Sequence, residues 1–103
     1  MDGEARFEEL CADLLARNGD LVRTKMMGML SLKLNGTLVA GFAATEDAIV
    51  FKLPNPDDRS RALALPGAHL FEPMEGRAMK EWVVVTNEQA QHWPAFAQTA
   101  IGT

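Results

Sequence analysis

Three side chains in this 103-residue sequence offer thiol or imidazole chemistry: Cys11, His69 and His92. They lie far apart along the chain, whereas the usual metal sites draw three or four ligands into one place. Cys11 falls on the apolar stripe of a predicted helix, where a thiol behaves as a small core residue. His69 sits at a strand edge and His92 near a helix start, each without an evident acid or base beside it. The two serines, Ser31 and Ser60, stand in no Gly-x-Ser-x-Gly elbow. There is no tyrosine, no phosphate-cradling Gly-x-x-x-x-Gly-Lys loop and no Gly-x-Gly-x-x-Gly fingerprint. Glu46-Asp47 and Asp57-Asp58 are paired carboxylates, but they fall at a turn and a helix start, where acids serve local needs. The sequence therefore predicts no catalytic residue, no metal and no cofactor. It reads as a protein that is not an enzyme.

Two stretches exceed what a plain scaffold requires. Lys25-Met26-Met27-Gly28-Met29-Leu30 sets three methionines around a glycine, and Pro73-Met74-Glu75-Gly76-Arg77-Ala78-Met79-Lys80-Glu81-Trp82 joins methionine to charge. Methionine is flexible and polarizable, and it suits surfaces that repack against partners. Lys25, Met27, Met29, Arg77, Met79 and Lys80 are the candidate binding residues, with a protein as the expected partner.

Charge narrows the partner. The net charge is −4 with a pI near 5.0, against the basic surface that nucleic-acid binding needs. Residues 1–22 hold six acids against Arg6 and Arg17, and the remainder balances eight acids with eight bases. Arg23 to Thr45 contains Arg23, Lys25 and Lys33 and no acid. A nucleic-acid-associated regulator using these three with Arg77 and Lys80 is the alternative reading. A ligand-binding domain or enzyme with Lys52, His69 and Arg77 around a pocket is the third. One cysteine makes no internal disulfide, and Met1-Asp2-Gly3-Glu4 lacks the basic start of a signal peptide. No apolar run reaches the roughly 18 residues of a membrane span. A cytoplasmic protein without membrane contact is expected.

The elements follow from periodicity. Phe7, Leu10, Cys11, Leu14 and Leu15 recur on one helix face over residues 4–17, with Asp2 as cap and Asn18-Gly19 as stop. From Thr24 the period becomes two. Leu30, Leu32 and Leu34 alternate with polar residues up to Asn35-Gly36, the turn pair of a two-residue hairpin. A second strand follows to Phe42 and a third over residues 48–53. Asn55-Pro56-Asp57-Asp58 starts a helix that stops at Pro66-Gly67. Short strands are expected around residues 69–71 and 81–85, separated by a loop over 72–80. Thr86 and Gln89 fit a capping box, and Pro94 limits the last helix to about residues 91–101. The result is a single α+β domain over residues 1–103, order αβββαββα. It has an antiparallel sheet of about five strands with helices on one face.

Within that frame the sequence resembles the TfoX N-terminal-domain-like family. The resemblance is carried by Met26-x-Gly28-x-Leu30-x-Leu32-x-Leu34-Asn35-Gly36 and the Phe42-containing second strand, by Phe51-Lys52-Leu53-Pro54, and by Phe71-Glu72-Pro73-Met74-Glu75-Gly76-Arg77-Ala78-Met79-Lys80-Glu81-Trp82-Val83-Val84-Val85 ahead of a Trp93 helix. It covers residues 5–101, and Gly76 to Trp82 is its most specific part. It implies a secretion-chaperone-like α+β fold and a small bacterial regulatory domain, without implying catalytic residues. A counterpart of the competence regulators' separate C-terminal domain is not expected.

Hairpin register decides which residues face outward. A two-residue turn at Asn35-Gly36 sets Leu32 opposite Val39 and puts Met29, Leu38, Ala40 and Phe42 on the face away from the helices. Soluble monomers avoid such patches, so a homodimer through the sheet face or an edge strand is expected. A bulged turn would move Leu38, Ala40 and Phe42 in with the leucines and leave Met29, Ser31, Lys33, Thr37 and Val39 outside, which removes that patch.

Overall fold

The computed structural model describes residues 2–26, 28–74 and 76–102. Helix α1 (Gly3–Arg17) starts where the Asp2 carboxylate accepts from the Ala5 amide, and it ends where the Asn18 side chain donates to the Leu14 carbonyl. Strands β1 (Leu21–Met26), β2 (Met29–Leu34) and β3 (Thr37–Ala43) follow, then a 3-10 turn (Ala44–Glu46) and β4 (Ala48–Lys52). Helix α2 (Pro56–Leu63) carries Asn55 as cap, its side chain accepting from the Asp57 amide. Strands β5 (His69–Met74) and β6 (Arg77–Thr86) form a hairpin, and α3 (Trp93–Ile101) closes the chain. All strand pairs are antiparallel, in the order β1-β2-β3-β4-β6-β5.

The sheet has six strands where the sequence predicts about five. The added one is β1, which pairs along its whole length with β2. Its alternation is masked because Arg23 and Lys25 share a face with Leu32 and Leu30, their β2 partners. Arg23 is accommodated there by an ion pair with Glu8 of α1. The expected loop over 72–80 is also mostly strand. Pro73 is tolerated because β5 is an edge strand, where a missing amide leaves no partner unmet. The Thr86–Gln89 capping box does not form. Residues Asn87–His92 make a 3-10 helix without a side-chain cap, and α3 begins at Trp93 with Pro94 in its first turn.

One core holds the fold. Phe7, Cys11 and Leu14 of α1, Ala62 of α2, and Trp93, Phe96 and Ile101 of α3 pack on Leu32, Phe51 and Val83 of the sheet. Every helix therefore lies on the same side. The Trp93 indole donates to the Val85 carbonyl at 3.0 Å, which satisfies its polar atom inside the core. Phe7, Leu14, Leu32, Phe51, Val84, Trp93 and Phe96 are buried, whereas Leu10, Leu30 and Trp82 are only partly buried. No helix among the described residues is long and apolar enough to cross a membrane.

The hairpin register corrects the expected outer face. Asn35 (φ 51°) and Gly36 (φ 84°) make the two-residue turn, pairing Leu34 with Thr37 and Lys33 with Leu38. The next pair is Leu32 with Ala40, so Val39 is an extra residue in β3. This bulge places Val39, Ala40 and Phe42 all in the helix-covered core, where Phe42 stacks on Phe7 at 5.6 Å. The patch of Leu38, Ala40 and Phe42 is thus not formed. Because the extra residue lies within the strand rather than in the turn, Leu38 stays beside Lys33 while Val39 enters the core, the reverse of the bulged-turn expectation for these two.

Candidate binding site

With Phe42 turned inward, the residues between, Gly41 and Ala43, line the opposite face. Ala43, Ala48, Val50 and Val84 form a second apolar cluster to which no helix contributes. Their neighbours across the ladder agree: Gly41 pairs with Val50 and Val50 with Val84. We call this the open face. Its floor is built from small residues, and the Met29 side chain lies over it. A Cβ on Gly41 would stand 2.8 Å from the Met29 methyl.

The floor is nevertheless not bare, because the β5–β6 hairpin breaks register. Leu70 pairs with Val83, but Phe71 pairs with Met79, so extra residues of β6 are looped out between them. Bulges of this kind bend a strand and re-aim its side chains. The outer half of the hairpin becomes an arm whose Phe71 packs on the open-face cluster beside Trp82.

Between arm and floor runs a cleft of about 460 Å³, within the range of ordinary ligand sites. Met29, Ala43 and Thr45 line it from the sheet side, and Phe71, Pro73 and Met79 from the arm. Glu46 and Glu72 supply its charge. A smaller hollow of about 310 Å³ lies where α1 meets Trp93 and Pro94, and it carries both Arg6 and Glu9. That hollow is a crevice between packed helices and lacks converging groups of one kind.

At one end of the cleft, Glu46 meets His69. The imidazole Nε2 stands 2.7 Å from Glu46 Oε1, and Nδ1 stands 2.9 Å from the Leu70 carbonyl. The Leu70 carbonyl raises the His69 pKa, partial burial lowers it, and Glu46 with Glu72 raises it again, for a net shift upward. Cys11 is remote from this chemistry. It is buried in the core, where loss of hydration pushes its thiol up to about 12, so it carries no thiolate near neutrality. No group of three or more metal-ligating side chains occurs among the described residues.

The structure separates the candidate residues that it describes. Met29 and Met79 come together, one on each wall of the cleft. Lys25 is exposed on β1, on the helix side of the sheet with its partner Leu30. Lys80 is exposed, and its carbonyl accepts from the Arg59 guanidinium at 2.9 Å, which ties the base of the arm to α2. Met27 lies outside the described residues. Arg77 opens β6 opposite Met74, and its side chain lies outside them too.

Sequence reasoning missed Ala43, Glu46, Phe71 and Glu72. The signal for the floor was present in small residues at alternating positions, Gly41 and Ala43, facing Ala48 across a turn. No comparable signal marks the arm, because its register break is a tertiary feature. Comparison with protein-family models, curated proteins and solved structures returns no match.

Proposed function

We propose that this chain is a non-enzymatic binding domain of regulatory type, acting through contacts at the cleft between the open sheet face and the β5–β6 arm. The observation that carries this reading is the apolar cleft of about 460 Å³ on the one sheet face that no helix covers. Two methionines on facing walls give it adaptability, since a thioether chain can repack around different shapes. A sheet with helices on one face is also what the TfoX N-terminal resemblance implies, and that supports a regulatory role. The nucleic-acid reading draws less support: Arg23 is spent on Glu8, and Lys25 stands on the other face from the cleft. The enzyme reading draws less as well, because neither Lys52 nor His69 lines the cleft.

The test uses a neutral apolar dye, Nile red, with the full chain. Dye fluorescence is expected to rise on binding and to be lost in Ala44→Trp. That substitution fills the cleft from an exposed position and leaves the core alone. Circular dichroism of the variant checks that the fold is kept. Equal dye binding by wild type and a folded Ala44→Trp overturns the assignment of the cleft.

A further inference from the structure

Among the described residues lining the cleft, the charged ones are Glu46 and Glu72, and no lysine or arginine accompanies them. Met29, Ala43, Phe71, Pro73 and Met79 make the rest of the surface mainly apolar. His69 Nε2 stands 2.7 Å from Glu46 Oε1, whereas Glu72 is exposed beside the arm. Carboxylates next to an apolar wall interact more strongly than in open water, because less of the field is screened. Such a rim attracts a cation and disfavours an anion of the same shape.

The form of the cleft narrows the ligand further. It lies open along the surface, so it encloses less of a free small molecule than a typical ligand pocket does. It suits a side chain projected into it from a segment lying across the opening. Lysine and arginine combine a long aliphatic stem with a charged head. The stem matches the Met29, Phe71 and Met79 walls, and the head reaches the acidic rim. We propose that the cleft captures a segment of a partner protein in which a lysine or arginine is flanked by apolar residues. This rests on the reading of the cleft as the binding site.

Two blocked pentapeptides test it against the ¹⁵N-labelled full chain in low-salt buffer. One has leucine–lysine–leucine at its centre and the other leucine–glutamate–leucine. The lysine peptide should shift the amides of Met29, Ala43, Glu46, Phe71 and Met79, and it should bind about tenfold more tightly than its twin. Glu72→Gln, at an exposed position, should reduce that preference to about threefold. Salt at about 0.5 M should reduce it as well. Equal binding of both peptides overturns the charge selection and leaves the cleft standing. Octylammonium binding as tightly as the lysine peptide makes the site one for a free amine and overturns the protein segment. Self-association that shifts the same amides gives the cleft to a second copy and overturns it too. If Nile red binds in the cleft and neither peptide does, the segment fails alone; if the dye also fails, the binding reading itself has failed.

Discussion

At His69 the protonated imidazole can donate from both nitrogens, to the Leu70 carbonyl and to Glu46, and the neutral form can donate from only one. Its folded pKa therefore lies above the ordinary value of 6.5. A raised pKa fixes the direction of the pH dependence. The stabilisation is fully present below the unfolded value of 6.5 and is lost as pH rises through the folded one. The His69 side chain is half exposed, so solvent screening keeps the effect below about 1 kcal/mol. Urea unfolding of His69→Gln should show the largest deficit against wild type at about pH 5.5, with the gap narrowing by about pH 8.5. A gap that widens with pH would mean that the neutral ring makes the important bond. The same pair joins β5 to the 3-10 turn and so fixes one end of the cleft.

Elements meet at Asp47, which follows that turn with φ 51° and begins the run into β4. Its Oδ1 accepts from the Gly3 amide at 2.9 Å, its Oδ2 from the Asn87 side chain at 3.1 Å, and its carbonyl from the Asn87 amide at 2.8 Å. One residue thus pins the start of α1, the start of β4 and the end of β6. Asp47→Ala removes the carboxylate acceptor and strains the left-handed backbone, at a cost of roughly 1–3 kcal/mol. Asp47→Asn keeps both an acceptor and a residue tolerant of that conformation, so it should cost less than half as much in thermal unfolding. Equal losses would assign the effect to charge alone. Locally driven elements of this kind were legible in sequence: α1 from its period, α2 from Asn55-Pro56, and the β2–β3 turn from Asn35-Gly36. The bulge at Val39 was not, because Thr37-Leu38-Val39-Ala40 suits either register. Burial of Phe42 against Phe7 decides it, and that contact joins residues 35 apart. The arm was hidden for a related reason. Pro73 and Gly76 argue for a loop locally, and only the edge position and the register break explain a strand there. Of the four candidate residues whose side chains are described, the two methionines reach the cleft and the two lysines do not, since methionine marks adaptable surface while lysine marks only exposure.

For the whole molecule, self-association had two routes, the sheet face and the sheet edges. The Val39 bulge takes Ala40 and Phe42 into the core, and the arm covers part of what remains on the open face. The face route thereby loses its largest side chains. The edges are guarded by different means. β5 carries Pro73 and two register shifts, which interrupt the regular ladder that a second strand would need. β1 exposes Val22, 56% accessible, but places Lys25 and the Arg23–Glu8 pair beside it, so two copies pairing along β1 would bring their lysines together and crowd that ion pair. We therefore expect a single species of 11.3 kDa in sedimentation at micromolar concentration. Replacing Arg23 and Lys25 together by threonine removes the repulsion and leaves a strand of high β-propensity at the edge. That variant should associate where the parent does not, and the contrast should be greatest at low salt, where the parent's repulsion is least screened. A stable dimer of the parent would restore the homodimer expected from the sequence. If it were unaffected by this double substitution and abolished by Ala44→Trp, the contact would lie on the open face, and the cleft would be filled by the chain's own copy.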